Sequence, residues 1–153
     1  MRITTDILSA LECTIMSTIA SSSLLRFALR LDGVASLGCG ALTTFAATPL
    51  ALWLGTSANA VFAVGLFMLA YGLTVFWLGQ RPHLPRWVVL TVIGGNLLWV
   101  LESLVLPLLG WISPSPLGWT LLSAQAAGVA VFAELQYSGL RRSGAAHATE
   151  RMA

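Results

Sequence analysis

Four long apolar stretches, separated by short polar segments, determine the pattern of this chain. The stretches cover residues 33–54, 60–78, 87–109 and 117–137. Each is close to the length of about 20 apolar residues that a helix needs to cross a bilayer. The segments between them are rich in Gly, Pro, Ser and Asn, and they are short enough to force consecutive helices to run antiparallel. The pattern therefore predicts an all-α polytopic membrane protein whose four transmembrane helices form an antiparallel four-helix bundle.

Composition excludes the soluble alternatives. Of the 153 residues, 57% are hydrophobic and 9% are charged, whereas soluble domains average about 25% charged residues. Such a chain cannot cover its surface with polar groups, and it is too apolar to stay disordered. All eight basic residues are arginines, and no basic run alternates with aromatic residues as in nucleic-acid-binding proteins. We therefore expect the lipid bilayer, and no nucleic acid, as the partner.

The arginines predict the orientation. They precede the first span, separate the second from the third, and follow the fourth, at Arg26, Arg30, Arg81, Arg86, Arg141, Arg142 and Arg151. The other two connections carry no charge. Because positive charge is retained on the cytoplasmic side, both termini are expected in the cytoplasm.

The two ends of the chain lie outside the predicted transmembrane domain of residues 24–137. Residues 1–23 are interrupted by Asp6 and Glu12, so we expect a tail or an interfacial helix. An alternative is that Met16 is the true start. Residues 138–153 are expected to form a disordered cytoplasmic tail, with Arg141 and Arg142 at the anionic membrane surface.

Small residues predict how the helices pack, because close backbone approach drives helix association in lipid. In the first span they recur on one face, at Ser36, Gly40, Thr44, Ala47 and Ala51. We expect the same role for Gly94 and Gly95 in the third span and for Ser123, Ala124, Ala127 and Gly128 in the fourth. Pro49 is expected to kink the first span.

Polar residues near the membrane centre form the candidate site. Glu102 and Gln125 fall in one layer about 10–12 Å from the outer ends of their helices, at a rise of about 1.5 Å per residue. The candidate polar pocket consists of Glu102, Gln125, Thr48, Asn96, Trp99 and Ser103. Three roles of Glu102 stay open: a hydrogen bond between helices, a ligand or proton site, and a side chain that reaches the outer water.

The charged residues at the inner interface are predicted to form ion pairs. They are Arg30, Asp32, Glu134 and Arg141. Such surface pairs are weak but help to fix the depth of the helices. With Asp32 assigned to the interface, the first span contains no carboxylate.

No catalytic or cofactor-binding motif is present in the sequence. Both histidines, His83 and His147, lie outside the predicted spans, which excludes axial ligation of an intramembrane haem. No zinc-protease, phosphate-loop or nucleophile-elbow motif occurs. We therefore expect no cofactor, no metal, no catalytic residues and no enzymatic activity.

Several short motifs resemble those of a known family. They are Leu25-Arg26, Leu29-Arg30-Leu31-Asp32-Gly33, Gly94-Gly95-Asn96 with Trp99, Ala133-Glu134-Leu135-Gln136-Tyr137, and Gly139-Leu140-Arg141-Arg142. The chain resembles a family of small bacterial four-helix integral membrane proteins with no assigned activity, and more distantly the DoxX-like group. The resemblance implies a multi-pass protein of the bacterial inner membrane and transfers no site residues.

Two functions follow from these observations. The first is an accessory or structural membrane subunit, which binds a membrane protein partner or forms a homo-oligomer. The alternative is a small proton-coupled or ligand-binding carrier that acts as a dimer through Glu102.

Overall fold

The computed structural model describes residues 18–150, with side chains as far as Ser143. Within this range the chain forms helices α1 (Ser23–Phe45), α2 (Ala47–Leu54), α3 (Ala58–Leu78), α4 (Arg86–Leu108) and α5 (Pro116–Glu150), and strands β1 (Thr18–Ala20) and β2 (His83–Pro85). The prediction of a helical protein is confirmed. Most of the predicted amino-terminal tail, including Met16, lies outside the described residues.

Three helices are long and apolar enough to cross a membrane. They are α3, α4 and the Pro116–Ser143 part of α5, with mean hydropathies of 2.1, 1.9 and 1.3. Helices α1 and α2 meet the same test only as a pair, and they are bent by 91° at the break between them. The described residues thus contain three candidate spans, or four if the bent pair counts as one.

The break between α1 and α2 replaces the predicted kink in the first span. Pro49 lies in the first turn of α2, where backbone N–H groups have no intrahelical acceptor and proline is tolerated. A continuous helix would instead bring its ring against the carbonyl group of Phe45, four residues earlier. The last turn of α1 closes with a bond from Ala46 N to Leu42 O of 2.8 Å. The proline therefore ends the helix one turn before its own position.

Glycines allow α1 and α3 to pack with their backbones in contact. A Cβ on Gly65 would lie 2.7 Å from the backbone N of Thr44, and one on Gly72 would lie 2.8 Å from that of Leu37. Gly40 packs in the same way against Leu69. The predicted small-residue face of the first span is thus confirmed at Gly40 and Thr44, and also at Ala47 and Ala51, which are buried against Val61.

The predicted packing faces of the third and fourth spans were wrong. A Cβ on Gly94, Gly95 or Gly128 would meet nothing within 4 Å. Ser123, Ala124 and Ala127 are exposed. The buried face of α5 consists instead of Ala126, Ala133, Gln136, Leu140 and Ser143.

The strands join two segments for which no strand was predicted. Strand β1 pairs antiparallel with β2, and Ile19 lies opposite Leu84. Both side chains are buried, and they join a core cluster that includes Leu25, Leu29 and Val89. We call this part of the molecule the ribbon end, and the opposite part, with α2 and the 55–57 and 109–115 connections, the hairpin end.

Helix α5 continues past the predicted end of the fourth span, into residues that were expected to be disordered. The reason is that its continuation packs on α1. A Cβ on Gly139 would lie 2.7 Å from Leu25 Cα. Ser22 Oγ donates to Gly139 O at 2.8 Å, and Ser22 N donates to Ser143 Oγ at 2.9 Å.

The helices do not pack equally on one another. Helix α1 packs against α3 and α5, and α5 packs against α4. Helices α3 and α4 are further apart and make few contacts between their backbones. A groove between α3 and α4 results, and the candidate site lies in it.

Candidate functional site

A buried carboxylate lies where α1, α3, α4 and α5 meet. Asp32 of α1 is 1% exposed. Its Oδ2 accepts hydrogen bonds from Asn96 Nδ2 at 2.9 Å and from Gln136 Nε2 at 2.7 Å. Its Oδ1 accepts from Ser36 Oγ at 3.2 Å. The hydroxyl oxygen of Tyr71 lies 3.3 Å from Oδ2 and 2.7 Å from Asn96 Oδ1. We call these five residues the Asp32 cluster.

Every donor atom of the Asp32 cluster makes at least one hydrogen bond inside it. The two amide hydrogens of Asn96 point to Asp32 and, at 3.2 Å, to Gln136 Oε1. The single hydroxyl hydrogen of Tyr71 has its shorter contact with Asn96 Oδ1. Since lipid offers no hydrogen-bonding partners, a polar group at this depth must be satisfied by protein. The cluster therefore holds together side chains from four helices.

No cation balances the Asp32 carboxylate among the described residues. The partners of Asp32 are all neutral side chains. Arg30, the predicted partner, uses its Nε to donate to Gly79 O at 2.9 Å. The predicted surface ion pair was therefore wrong at Asp32. The cause is the start of α1, which lies at Ser23, ten residues before the apolar stretch begins, so that Asp32 lies inside the helix.

The other predicted interfacial pair is also not formed. Glu134 is exposed, and its Oε1 accepts a 3.4 Å hydrogen bond from Ser138 Oγ. Arg141 is exposed and makes no hydrogen bond or ion pair with the described residues.

The predicted polar pocket is brought together only in part. Gln125 Nε2 donates to Ser103 Oγ at 3.2 Å, and Ser103 Oγ donates to the carbonyl of Trp99 at 2.7 Å. Asn96 belongs to the Asp32 cluster and also lines one cavity together with Trp99 and Glu102. Thr48 is exposed and lies on α2, beyond the break in the first span. The predicted interhelix bond of Glu102 is absent from the described residues.

Two cavities lie in the opening between α3 and α4, and residues of α1, α2 and α5 also line them. The first, about 380 Å³, extends from Thr56 and Ile112 at the hairpin end to Ser103 and Gln125. The second, about 390 Å³, is lined by three members of the Asp32 cluster, namely Ser36, Tyr71 and Asn96. Met68, Trp99 and Glu102 belong to the walls of both. We call the two cavities together the α3–α4 groove, which leads from the hairpin end to the Asp32 cluster.

Aromatic rings bridge the groove. The rings of Phe67 and Trp99 stack across it at 6.2 Å and 14°, and Phe67 also stacks on Tyr71 at 6.2 Å and 22°. Glu102 is exposed in the same wall and has no hydrogen-bond or ion-pair partner among residues 18–143. Apolar walls, aromatic faces and one carboxylate without a partner form an environment that attracts an organic cation.

Sequence reasoning missed the most buried part of the site. Neither Asp32, Tyr71 nor Gln136 was among the pocket candidates. Gln136, fully buried at 0% exposure, carried no signal beyond being a polar residue in an apolar span. Within the described part of the chain, no three His, Cys, Asp or Glu side chains come together as a metal site requires.

The chain was compared with known protein families, curated proteins and solved structures. No protein family model, no curated protein and no solved structure matches this chain. The resemblance to DoxX-like proteins therefore stays a prediction.

Proposed function

We propose that this chain is a bacterial inner-membrane protein that binds an amphipathic organic cation in the α3–α4 groove. The observation that carries the proposal is Glu102, a carboxylate without a partner among residues 18–143 in the wall of a mostly apolar groove. Of the roles predicted for Glu102, a ligand site fits this geometry best. In this proposal the protein is a small carrier that transports the bound cation. The carrier can act as a dimer.

The proposal includes four spans, with α1 and α2 as the first. Helix α1 has 23 residues, and at about 1.5 Å per residue it is about 34 Å long. This length suffices for a hydrocarbon core of about 30 Å. Arginines support the orientation, because Arg26, Arg30, Arg81 and Arg86 all belong to segments at the ribbon end. The ribbon end and both termini are thus assigned to the cytoplasm.

The charge of Glu102 favours a cation over a neutral ligand. Two opposite unit charges 4 Å apart attract each other by about 4 kcal/mol at an effective dielectric constant of about 20. Each 1.4 kcal/mol, approximately, corresponds to a tenfold change in affinity. The volume of each cavity, about 380 and 390 Å³, is in the range of small-molecule sites. A lipophilic cation therefore gains from the apolar walls and from the carboxylate together.

Equilibrium dialysis with tetraphenylphosphonium tests the proposal on the purified protein in detergent, with empty micelles as the blank. We expect saturable binding that Glu102→Gln weakens by at least about tenfold. Glu134→Gln is the matched control, because Glu134 is an exposed carboxylate that lines neither cavity. Tetraphenylborate, of the same shape and opposite charge, should not bind. Equal binding of both ions, or equal effects of both substitutions, contradicts the proposal.

An accessory or structural subunit is the second candidate. It is favoured by the Asp32 cluster, in which each donor atom makes a hydrogen bond and which links four helices without any ligand. If neither ion binds, this candidate is preferred. Chemical cross-linking in native membranes then tests for a homo-oligomer or a membrane protein partner.

A further inference from the structure

The two cavities of the α3–α4 groove have walls of different chemistry. The first, at the hairpin end, is lined mainly by aliphatic side chains, and Trp99 is the one aromatic residue among its described walls. Its aliphatic walls include Leu42, Leu50, Leu54, Val61, Leu106 and Leu122. The second is lined by three aromatic side chains, Phe67, Tyr71 and Trp99. We call the first the aliphatic cavity and the second the aromatic cavity.

Glu102 lies where the two cavities meet. Together with Met68 and Trp99, it belongs to the walls of both. A cationic centre beside this carboxylate therefore has two apolar cavities next to it. Their volumes are nearly equal, about 380 and 390 Å³, so neither is a minor extension of the other. A ligand with a single apolar group fills one cavity and gains nothing from the other.

The walls indicate which group each cavity takes. Aromatic side chains attract a further ring in offset or edge-to-face contact, and their faces attract a cation. The ring of Phe67 lies 6.2 Å from those of both Tyr71 and Trp99, so one guest ring can contact all three. Aliphatic walls favour burial of hydrocarbon without a preferred orientation, which suits a flexible chain. The aliphatic cavity extends from Gln125 to Thr56 at the hairpin end, and a chain can follow it.

We propose that the cation bound in the groove is an aryl-alkyl ammonium ion. Its positive nitrogen lies beside Glu102, its aryl group in the aromatic cavity and its alkyl chain in the aliphatic cavity, directed to the hairpin end. This assignment rests on the proposed function, which it narrows from organic cations in general to one chemical class.

Three ammonium ions separate the contributions of the two groups. They are benzyldimethyldodecylammonium, which has both groups, dodecyltrimethylammonium, which lacks the ring, and benzyltrimethylammonium, which lacks the chain. Equilibrium dialysis with the protein in an uncharged detergent, and with empty micelles as the blank, measures their affinities. We expect the first ion to bind at least about tenfold more tightly than either of the others. Equal affinities of the two dodecyl ions overturn the proposal, and this test needs no variant to fold.

Two pairs of neighbouring residues locate the two groups. Cys39 is exposed and lines the aliphatic cavity, whereas Gly38 lines neither cavity. Gly95 lines the aromatic cavity, whereas Gly94 lines neither. An added Cβ meets nothing within 4 Å at any of these three glycines. Phenylalanine at the lining position of each pair therefore obstructs one cavity, and its neighbour is the matched control.

The two obstructing variants should affect different parts of the ligand. We expect Cys39→Phe to weaken binding of both dodecyl ions at least about tenfold and to leave benzyltrimethylammonium unchanged. Gly95→Phe should remove the advantage of the benzyl group, so that the two dodecyl ions bind equally. Gly38→Phe and Gly94→Phe should change none of the three affinities. Equal effects within either pair refute the assignment of the two groups to the two cavities.

Tetraphenylphosphonium separates this result from failure of the proposed function. If its binding still depends on Glu102 while the three ammonium ions show no such pattern, the aryl-alkyl assignment alone is wrong. If it does not bind and the ammonium ions show no pattern either, the proposed function is wrong as well.

Discussion

Gln136 offers the sharpest test of the Asp32 cluster as the structural centre of the bundle. Its side chain is fully buried, donates to Asp32 Oδ2 at 2.7 Å and accepts from Asn96 Nδ2 at 3.2 Å. Gln136→Leu keeps the volume approximately constant and removes both hydrogen bonds. It leaves Asp32 Oδ2 with Asn96 as its remaining amide donor and one amide hydrogen of Asn96 without an acceptor.

The magnitude follows from the two bonds. Hydrogen bonds between transmembrane helices contribute about 0.6 kcal/mol on average and about 1.7 kcal/mol at most. A buried donor left without a partner adds a penalty of about 1–3 kcal/mol. We therefore expect Gln136→Leu to lower the free energy of unfolding by about 2–4 kcal/mol.

Unfolding by sodium dodecyl sulfate in mixed micelles, followed by circular dichroism, measures this difference. The matched control is Gln125→Leu, which removes a single 3.2 Å bond to Ser103 beside a cavity. It should cost about 0.6 kcal/mol. If the two variants lose the same stability, or if Gln136→Leu is the more stable one, the cluster does not hold the bundle together.

Three further predictions concern packing, capping and topology. Gly72→Val places side-chain atoms against the Leu37 backbone, 2.8 Å from its N, and should lower the free energy of unfolding by about 1–3 kcal/mol. Gly38→Val, where an added Cβ meets nothing, should be tolerated in the same assay. Ser22→Ala removes the cap on Leu25 N and the bond to Gly139, and should cost about 1–2 kcal/mol. A reporter fused after Ser57 should be active in the periplasm and one fused after Ala153 in the cytoplasm, whereas opposite sides would contradict the orientation.

The apolar stretches predicted the helices that lie in them, because burial in lipid requires an uninterrupted apolar run. The predicted 60–78 and 87–109 spans differ from α3 (Ala58–Leu78) and α4 (Arg86–Leu108) by two residues or fewer at each end. The same criterion failed for α1. This helix begins at the Ser22 cap and continues through Arg26 and Arg30, which hydropathy assigns to the region outside the membrane.

The Asp32 cluster could not be predicted in the same way, because its members are far apart in sequence. Asp32 is 39 residues from Tyr71, 64 from Asn96 and 104 from Gln136. Hydropathy indicates the depth of each residue, but it does not indicate the rotation of each helix about its axis. Next to Arg30, a carboxylate at the edge of an apolar run is most simply interpreted as half of a surface ion pair.

One signal in the sequence did contain the missing information about helix pairing. Gly33 and Gly40 are seven residues apart on α1, and Gly65 and Gly72 are seven apart on α3. Seven residues are almost two helical turns, so each pair lies on one face of its helix. Matching the two faces antiparallel places Gly33 near Phe76 and Gly40 near Leu69, as in the structure.

The same glycines explain why the groove lies between α3 and α4. Backbone contact at Gly65 and Gly72 holds α3 against α1, whereas α4 is held by α5. The gap between α3 and α4 is therefore bridged by long side chains, with Tyr71 reaching Asn96 and Phe67 stacking on Trp99. Small residues at these positions would be too short to bridge the gap. The aromatic residues instead bridge a groove that has Glu102 in its wall and members of the Asp32 cluster at its inner end.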